Sequence, residues 1–246
     1  MLSNFRRTKI VATIGPACSS KEMIKTLINA GVNVFRLNFS HGTHEVHTNS
    51  IKTIREVSKE LDAIIGIIQD VQGPKIRIGE VENGEALLSD DSTFCLTNAP
   101  LIANSSIASV TYENLLRDIK PGAAILIDDG KIELEVNSVE VDKLVCKVKV
   151  GGLIKPHKGV NFPGTSLGIS CLTEKDKTDI LLGIKQRVDF IAVSFVQRAE
   201  DIMETKDYIA KYNSKIPVIA KIECQSAIDN LEDILAVSDA VMVARG

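Results

Sequence analysis

Short aliphatic runs alternate with amphipathic helical stretches over most of this chain, and few folds accept that order. Residues 9–14 (KIVATI) predict a strand stopped by Gly15-Pro16. The run Ser19-Ser20-Lys21-Glu22 reads as a capping box. Ile24, Leu27 and Ile28 follow it at helical spacing, and Gly31 ends that helix. Residues 33–40 (NVFRLNFS) predict the next strand, then a helix with the stripe Ile51, Ile54, Val57 and Leu61, then a third strand at 64–69 (IIGIIQ). This order builds a parallel sheet with helices outside it.

The alternation stops between about residues 80 and 157. Strand-like segments at 94–97, 125–127, 131–136 and 144–150 are separated by the turn signals Glu82-Asn83-Gly84, Pro121-Gly122 and Asp129-Gly130. They predict a small all-β domain inserted after the third strand. Past Gly164 the first pattern resumes. It runs as a helix at 173–186 with Ile180, Leu181 and Ile184 inward, a strand at 190–196 (FIAVSFV) and a helix at 198–212. A strand at 217–223 (PVIAKIE), a helix at 225–237 with Ile228, Leu231 and Leu235, and a strand at 240–245 (AVMVAR) complete it. By length the 246 residues match a complete (β/α)8 barrel of about 250. With the insert set aside, roughly 30 residues per βα step leave only five to six units. The predicted fold class is therefore α/β, a partial (β/α)8 TIM barrel of about six of eight strands with a small all-β lid domain inserted. The expected domains are 1–79, barrel, first part; 80–157, lid; and 158–246, barrel, second part.

Composition removes several functions. Hydrophobic residues make up 44% and charged residues 25%, which excludes a disordered chain. A net charge of −3 offers no basic field to nucleic acid or to an acidic membrane. Aromatic residues are 4% and Trp is absent, so the core is aliphatic, as buried parallel strands require. Cys18, Cys95, Cys146, Cys171 and Cys224 are odd in number and show no C-x-x-C spacing, so no disulfide or metal framework is legible. With no signal-like h-region and no membrane-length apolar run, the expectation is a soluble cytoplasmic protein.

In parallel α/β folds, ligands bind at the C-terminal ends of the strands. There the second strand carries Arg36, Asn38 and Ser40 on one face, the third ends at Asp70, and the PVIAKIE strand carries Lys221 and Glu223. Each set alone has an ordinary reading, a wet strand face or a local ion pair. Three strands that bring polar groups to one end point to a site. Arg36 and Lys221 suit phosphate or carboxylate, and Glu223 and Asp70 are hard oxygen donors suited to Mg²⁺. A Lys beside a Glu-bound divalent ion makes an electrostatic clamp for phosphoryl transfer. Lys75 and Arg77 add two cations after the Gly73-Pro74 turn, and no Walker-type phosphate loop is present.

These residues lie in segments that resemble the pyruvate kinase family. The segments are RRTKIVATIGPA (6–17), NVFRLNFSHG (33–42), DVQGPKIRIG (70–79), ILIDDGKIELEV (125–136), KGVNFPG (158–164), FIAVSFV (190–196), IAKIE (219–223) and DAVMVARG (239–246). They follow the family's order across the whole chain. The resemblance implies phosphoryl transfer from phosphoenolpyruvate to ADP, giving pyruvate and ATP with Mg²⁺. It implies that Arg36 contacts phosphate and that Lys221 neutralises charge on the phosphoryl group in flight and on the enolate. Glu223 becomes a ligand of the substrate-side Mg²⁺, and Asn38, Ser40, Asp70 and the Val71 carbonyl mark a monovalent-cation position. Arg77, His41, Asp128 and Lys158 fall on the nucleotide and lid side, Ser194 and Phe195 line the substrate pocket, and Asn38 and Gly246 also count among the substrate- and nucleotide-binding residues. It also implies a homotetramer for the intact family member.

Two departures qualify this. Lys75, with Val71 and Ile78, matches the pattern of potassium-independent members, because a tethered ammonium can supply the charge of K⁺. The family motif continues A-R-G-D-L-G, whereas this sequence stops at Gly246, short of a second Mg²⁺ carboxylate. The expectation is that these residues alone are inactive or nearly so. Two competing readings remain: a pyruvate- or enolate-handling barrel lyase that uses Lys221 or a metal at Glu223, and a non-catalytic truncated fragment.

Overall fold

The computed structural model describes residues 7–165 and 167–243. In chain order the first elements are β1 (Val11–Thr13), α1 (Lys21–Asn29), β2 (Val34–Asn38), α2 (His44–Glu60) and β3 (Gly66–Asp70). Then come β4 (Ala86–Leu88), β5 (Thr93–Thr97), β6 (Ile107–Ser109), α3 (Leu115–Asp118), β7 (Ala124–Ile127), β8 (Ile132–Val139), β9 (Leu144–Val150), β10 (Gly152–Ile154) and β11 (Val160–Asn161). The last are α4 (Glu174–Gln186), β12 (Phe190–Val193), α5 (Ala199–Ala210), β13 (Val218–Ile222), α6 (Gln225–Asp229), α7 (Leu231–Val237) and β14 (Ala240–Val243). The chain forms two compact units. One holds Met1–Pro74, Ser170–Glu223 and Asn230–Gly246, and the other Lys75–Ile169 and Cys224–Asp229. Among the described residues no helix is long and apolar enough to cross a membrane.

In the first unit six strands pair in parallel in the order β1-β2-β3-β12-β13-β14. Each successive strand joins on the same side. That is the order of a (β/α)8 barrel, whereas a doubly wound sheet reverses direction partway. The six strands make a partial barrel, as expected. Phe35, Leu37, Ile67, Ile191, Val193 and Val218 are buried, which fits strands covered on both faces. Ile51, Ile54 and Val57 of α2 are buried as their spacing predicts.

Local chemistry moved several boundaries. The N-cap of α1 is Ser20 rather than Ser19, and its hydroxyl accepts from Met23 N at 3.2 Å. The single helix expected at 225–237 is two, α6 and α7, broken at Asn230 (φ −104°, ψ 19°). The Asn230 amide donates to the Gln197 carbonyl at 2.9 Å. The break shifts the helical phase, so Ile234 and Ala227 are buried while Ile228 and Leu235 are exposed. β12 stops at Val193 because Phe195 adopts a left-handed backbone (φ 58°). Of the expected strand at 240–245, residues 244 and 245 lie outside the described residues.

The second unit is a sheet ordered β11-β7-β8-β9-β5-β6, antiparallel apart from the β5–β6 pair, with a β10-β4 ribbon. Its strands alternate inward and outward. Ile125, Ile127, Leu134, Val136, Cys146 and Val148 fill the core. Outward, Lys147 pairs with Asp91 at 2.7 Å and Lys149 with Glu135 at 3.1 Å. The unit is not purely β, since α3 lies between β6 and β7. Asp118, which ends α3, accepts from the Tyr112 hydroxyl, from Arg117 Nε at 2.7 Å and from Gly168 N at 2.8 Å. The Arg117 hydrogen bond above all holds this carboxyl at about 2.

Asp118→Asn removes an acceptor that three donors share and should destabilise the chain by about 1–3 kcal/mol in urea unfolding. A depressed carboxylate contributes stability that is complete above its unfolded value, near 4, and lost as pH falls toward about 2. The wild-type advantage over Asp118→Asn should therefore shrink across that interval in melts recorded at successive pH values.

Candidate active site

The parallel register places Asn38 beside Asp70 and Asp70 beside Ala192, so the polar strand ends share one edge of the sheet. Asp70, the last residue of β3, has a side chain 2% exposed. Its Oδ2 accepts from Arg36 Nε at 2.6 Å and lies 2.5 Å from a terminal guanidinium nitrogen. The other Arg36 terminal nitrogen donates to Thr13 Oγ1 at 3.0 Å. Asp70 Oδ1 lies 3.2 Å from Lys221 Nζ, yet it is buried and receives no hydrogen bond. Lys221 Nζ donates to Ser194 Oγ at 2.7 Å and lies 3.1 Å from Glu223 Oε1. Ser194 Oγ donates to the Val71 carbonyl at 2.7 Å, and Glu223 Oε2 accepts from Phe195 N at 2.9 Å. Two cations and two carboxylates thus offset one another in a partly dry setting, where unpaired charge is costly.

The structure brings Arg36, Asp70, Val71, Ser194, Phe195, Lys221 and Glu223 together in the first unit. Asn38 ends β2 and Ser40 lies in the turn after it, so Ser40 is not on the strand face. Asn38 Oδ1 accepts from Ser40 N at 3.0 Å, and this side-chain turn ends β2 at Asn38. The His41 carbonyl accepts from His47 Nε2 at 2.8 Å, and the His47 ring stacks on Phe39 at 3.9 Å. Burial pushes His47 below its ordinary value, so its neutral ring carries the proton on Nε2.

Arg77, Asp128 and Lys158 are gathered in the second unit. Asp128 lies 2.9 Å from both Lys158 and Lys131, and their hydrogen bonds hold its carboxyl below the usual range. Arg77 donates to the His157 carbonyl at 2.5 Å and bridges Gly159 through its backbone. Lys75 is half-buried in the same unit. Gly246 lies outside the described residues.

Thr13, Lys175 and Asp176 are site neighbours that the sequence pattern did not reveal. Lys175 donates to the Phe39 carbonyl at 2.8 Å, and Asp176 accepts from Gly73 N at 3.1 Å. The one signal was the T-x-x-D spacing of Thr173 and Asp176, and a helix start accounts for that fully.

Among the described residues no three His, Cys, Asp or Glu side chains cluster as a ready-made metal cage. The donor set still suits a hard cation. Glu223 is a carboxylate at the site edge, and Asp70 Oδ1 is a buried acceptor without a hydrogen-bond donor. Mg²⁺ in phosphate sites keeps several waters and takes only one or two carboxylates.

The family pattern "Pyruvate kinase, barrel domain" matches residues 5–246. Pyruvate kinase 2 of Synechocystis is 49% identical over 246 aligned positions, 98% of this chain and 42% of that protein. A Staphylococcus aureus pyruvate kinase is 48% identical, again over 98% of this chain and 42% of its own length. The crystal structure of a pyruvate kinase from Cryptosporidium parvum superposes with a TM-score of 0.94 at 36% identity, covering 98% of this chain and 51% of that one. The chain therefore spans well under half the length of these two sequence relatives.

Asp70→Asn leaves Arg36 and Lys221 without the carboxylate between them. By the usual cost of breaking a buried pair, it should lower stability by about 3–5 kcal/mol. Denaturant titration of the variant against wild type measures this.

Proposed function

The chain belongs to the pyruvate kinase family, and from that premise we propose that the protein transfers a phosphoryl group from phosphoenolpyruvate to ADP. The carrying observation is the Lys221 ammonium, held by Ser194, Asp70 and Glu223 at the strand edge that also presents Arg36. The P–O bond of phosphoenolpyruvate breaks, a terminal ADP oxygen forms the new P–O bond, and the enolate gains a proton to become pyruvate. Lys221 offsets negative charge on the group in flight and on the enolate, and Arg36 orients phosphate oxygens. Fixed in advance, both need no reorganisation as the charge moves.

Glu223 would hold Mg²⁺, which when bound supplies Lewis-acid polarisation of the phosphoryl and enolate oxygens. Ser194 and Phe195 line the substrate side. Asn38, Ser40, Asp70 and the Val71 carbonyl form the monovalent-cation position, with Lys75 supplying the charge that K⁺ brings elsewhere. His41, Arg77, Asp128, Lys158 and Gly246 belong to the nucleotide side, and the second unit acts as a lid that excludes water. Among the described residues no cysteine is in a disulfide, which fits a reducing cytoplasm. A Schiff-base lysine needs an apolar pocket that keeps its amine neutral. Two carboxylates and a hydroxyl surround Lys221, so no observation favours the lyase reading.

The test is lactate dehydrogenase-coupled ADP phosphorylation, run on this chain and on the longest product of its gene. In the product that turns over, Lys221→Met should lower kcat at least a thousandfold with little change in KM for phosphoenolpyruvate. Wild-type kcat in that variant, or no transfer by any product, would overturn the proposal. With Mg²⁺ present, replacing K⁺ by tetramethylammonium should leave turnover within about twofold, and Lys75→Glu should create a K⁺ requirement. A many-fold loss in the wild type on K⁺ removal would refute the role given to Lys75.

A further inference from the structure

The backbone of β13 delivers Lys221 to the strand edge, but the direction of its ammonium depends on Ser194, the acceptor of its 2.7 Å hydrogen bond. Ser194 is itself pinned from two sides. Its hydroxyl donates to the Val71 carbonyl at 2.7 Å, and the Gly73 backbone packs against it. A methyl group at Gly73 would lie 3.0 Å from Ser194 Cβ, 3.1 Å from the Ser194 carbonyl oxygen and 3.2 Å from Phe195 Cδ2, on a backbone with φ +67°. Gly73 is held there by its N–H, which donates to Asp176 Oδ1 at 3.1 Å.

Asp176 lies in the first turn of α4, outside the substrate-facing set, and is fully buried. Its Oδ2 accepts from Thr173 N at 3.0 Å and from Thr173 Oγ1 at 2.6 Å, which completes a capping box. A cap works at the protein surface, where carboxylate desolvation costs little. Burial of this one is costly unless its bonds are needed, and the bond to Gly73 is the one that leaves the helix. The preceding residue makes a parallel link. Lys175 donates to the Phe39 carbonyl at 2.8 Å, and Phe39 N donates to the Asp70 carbonyl at 2.9 Å. The first turn of α4 therefore grips the loops that follow β2 and β3, and both carry site groups.

We propose that Asp176 is a positioning residue for Lys221, acting through Gly73 and Ser194. The proposal rests on the reading of Lys221 as the site's electrostatic group, but its test needs no turnover. The ammonium ¹H–¹⁵N resonance of Lys221 is recorded in the 246-residue chain and identified by its loss in Lys221→Arg. Asp176→Ala should shift that resonance and speed its hydrogen exchange at least tenfold. Gly73→Ala, which pushes on Ser194 from the other side, should shift it too. Asp176→Asn keeps an acceptor for Gly73 and should restore most of the wild-type signal. Thr173→Ala weakens the cap alone, so it should lower the melting temperature and leave the resonance in place. An unmoved resonance in folded Asp176→Ala, or an equal shift in Thr173→Ala, overturns the proposal. If Asp176→Ala does not fold, Gly73→Ala decides: an unmoved resonance there overturns it and a shifted one supports it. A shift without phosphoryl transfer by any product would leave Asp176 as positioner and remove the functional reading instead.

Discussion

The carboxylate of Asp70 keeps Arg36 and Lys221 together at one edge of the sheet. Its two oxygens lie 2.5 Å and 3.2 Å from the nearest guanidinium and ammonium nitrogens. In a partly dry environment two cations without an intervening anion repel strongly. The sheet delivers them to a common edge, and Asp70 makes that arrangement stable. A site prepared this way favours charge that develops where the cations already point, because little rearrangement is left for the ligand to drive.

The preparation depends on parallel order. Consecutive parallel strands end on the same side, and the register sets Asn38 and Ala192 on either side of Asp70. The turn after β12 adds what strands cannot. Phe195, at φ 58°, turns its N–H to the Glu223 carboxylate, while Ser194 reaches back to Val71 and accepts from Lys221. A residue in that left-handed region costs free energy that its neighbours must offset, and such strain concentrates where a site needs a fixed direction.

The second unit is organised around its own carboxylates. Asp118 ties Tyr112, Arg117 and Gly168 together, and Asp128 sits between Lys131 and Lys158. Neither belongs to the apolar core of Ile125, Leu134, Val148 and their neighbours. Each ties its own turn to a distant segment, Asp118 to Gly168 and Asp128 to Lys158.

The alternation of aliphatic and amphipathic runs determined the parallel sheet and its helices, and its interruption pointed to a separate β unit, because periodicity follows from which faces are buried. The same reasoning singled out Arg36, Asp70, Lys221 and Glu223, which the fold brings into contact, since a polar side chain at the end of a buried strand adds little to packing and is costly to desolvate. It failed at 225–237, where a side-chain bond from Asn230 outweighs helical spacing, and at Ser40, where Asn38 ends the strand early. Family likeness supplied roles for these residues. Tertiary structure alone decided that one carboxylate serves both cations, that Ser194 directs Lys221, and that a helix cap at Asp176 reaches Gly73. Those bonds join residues dozens of positions apart. A pattern read along the chain records which face a residue takes, whereas its partner there is chosen by how the strands and loops meet.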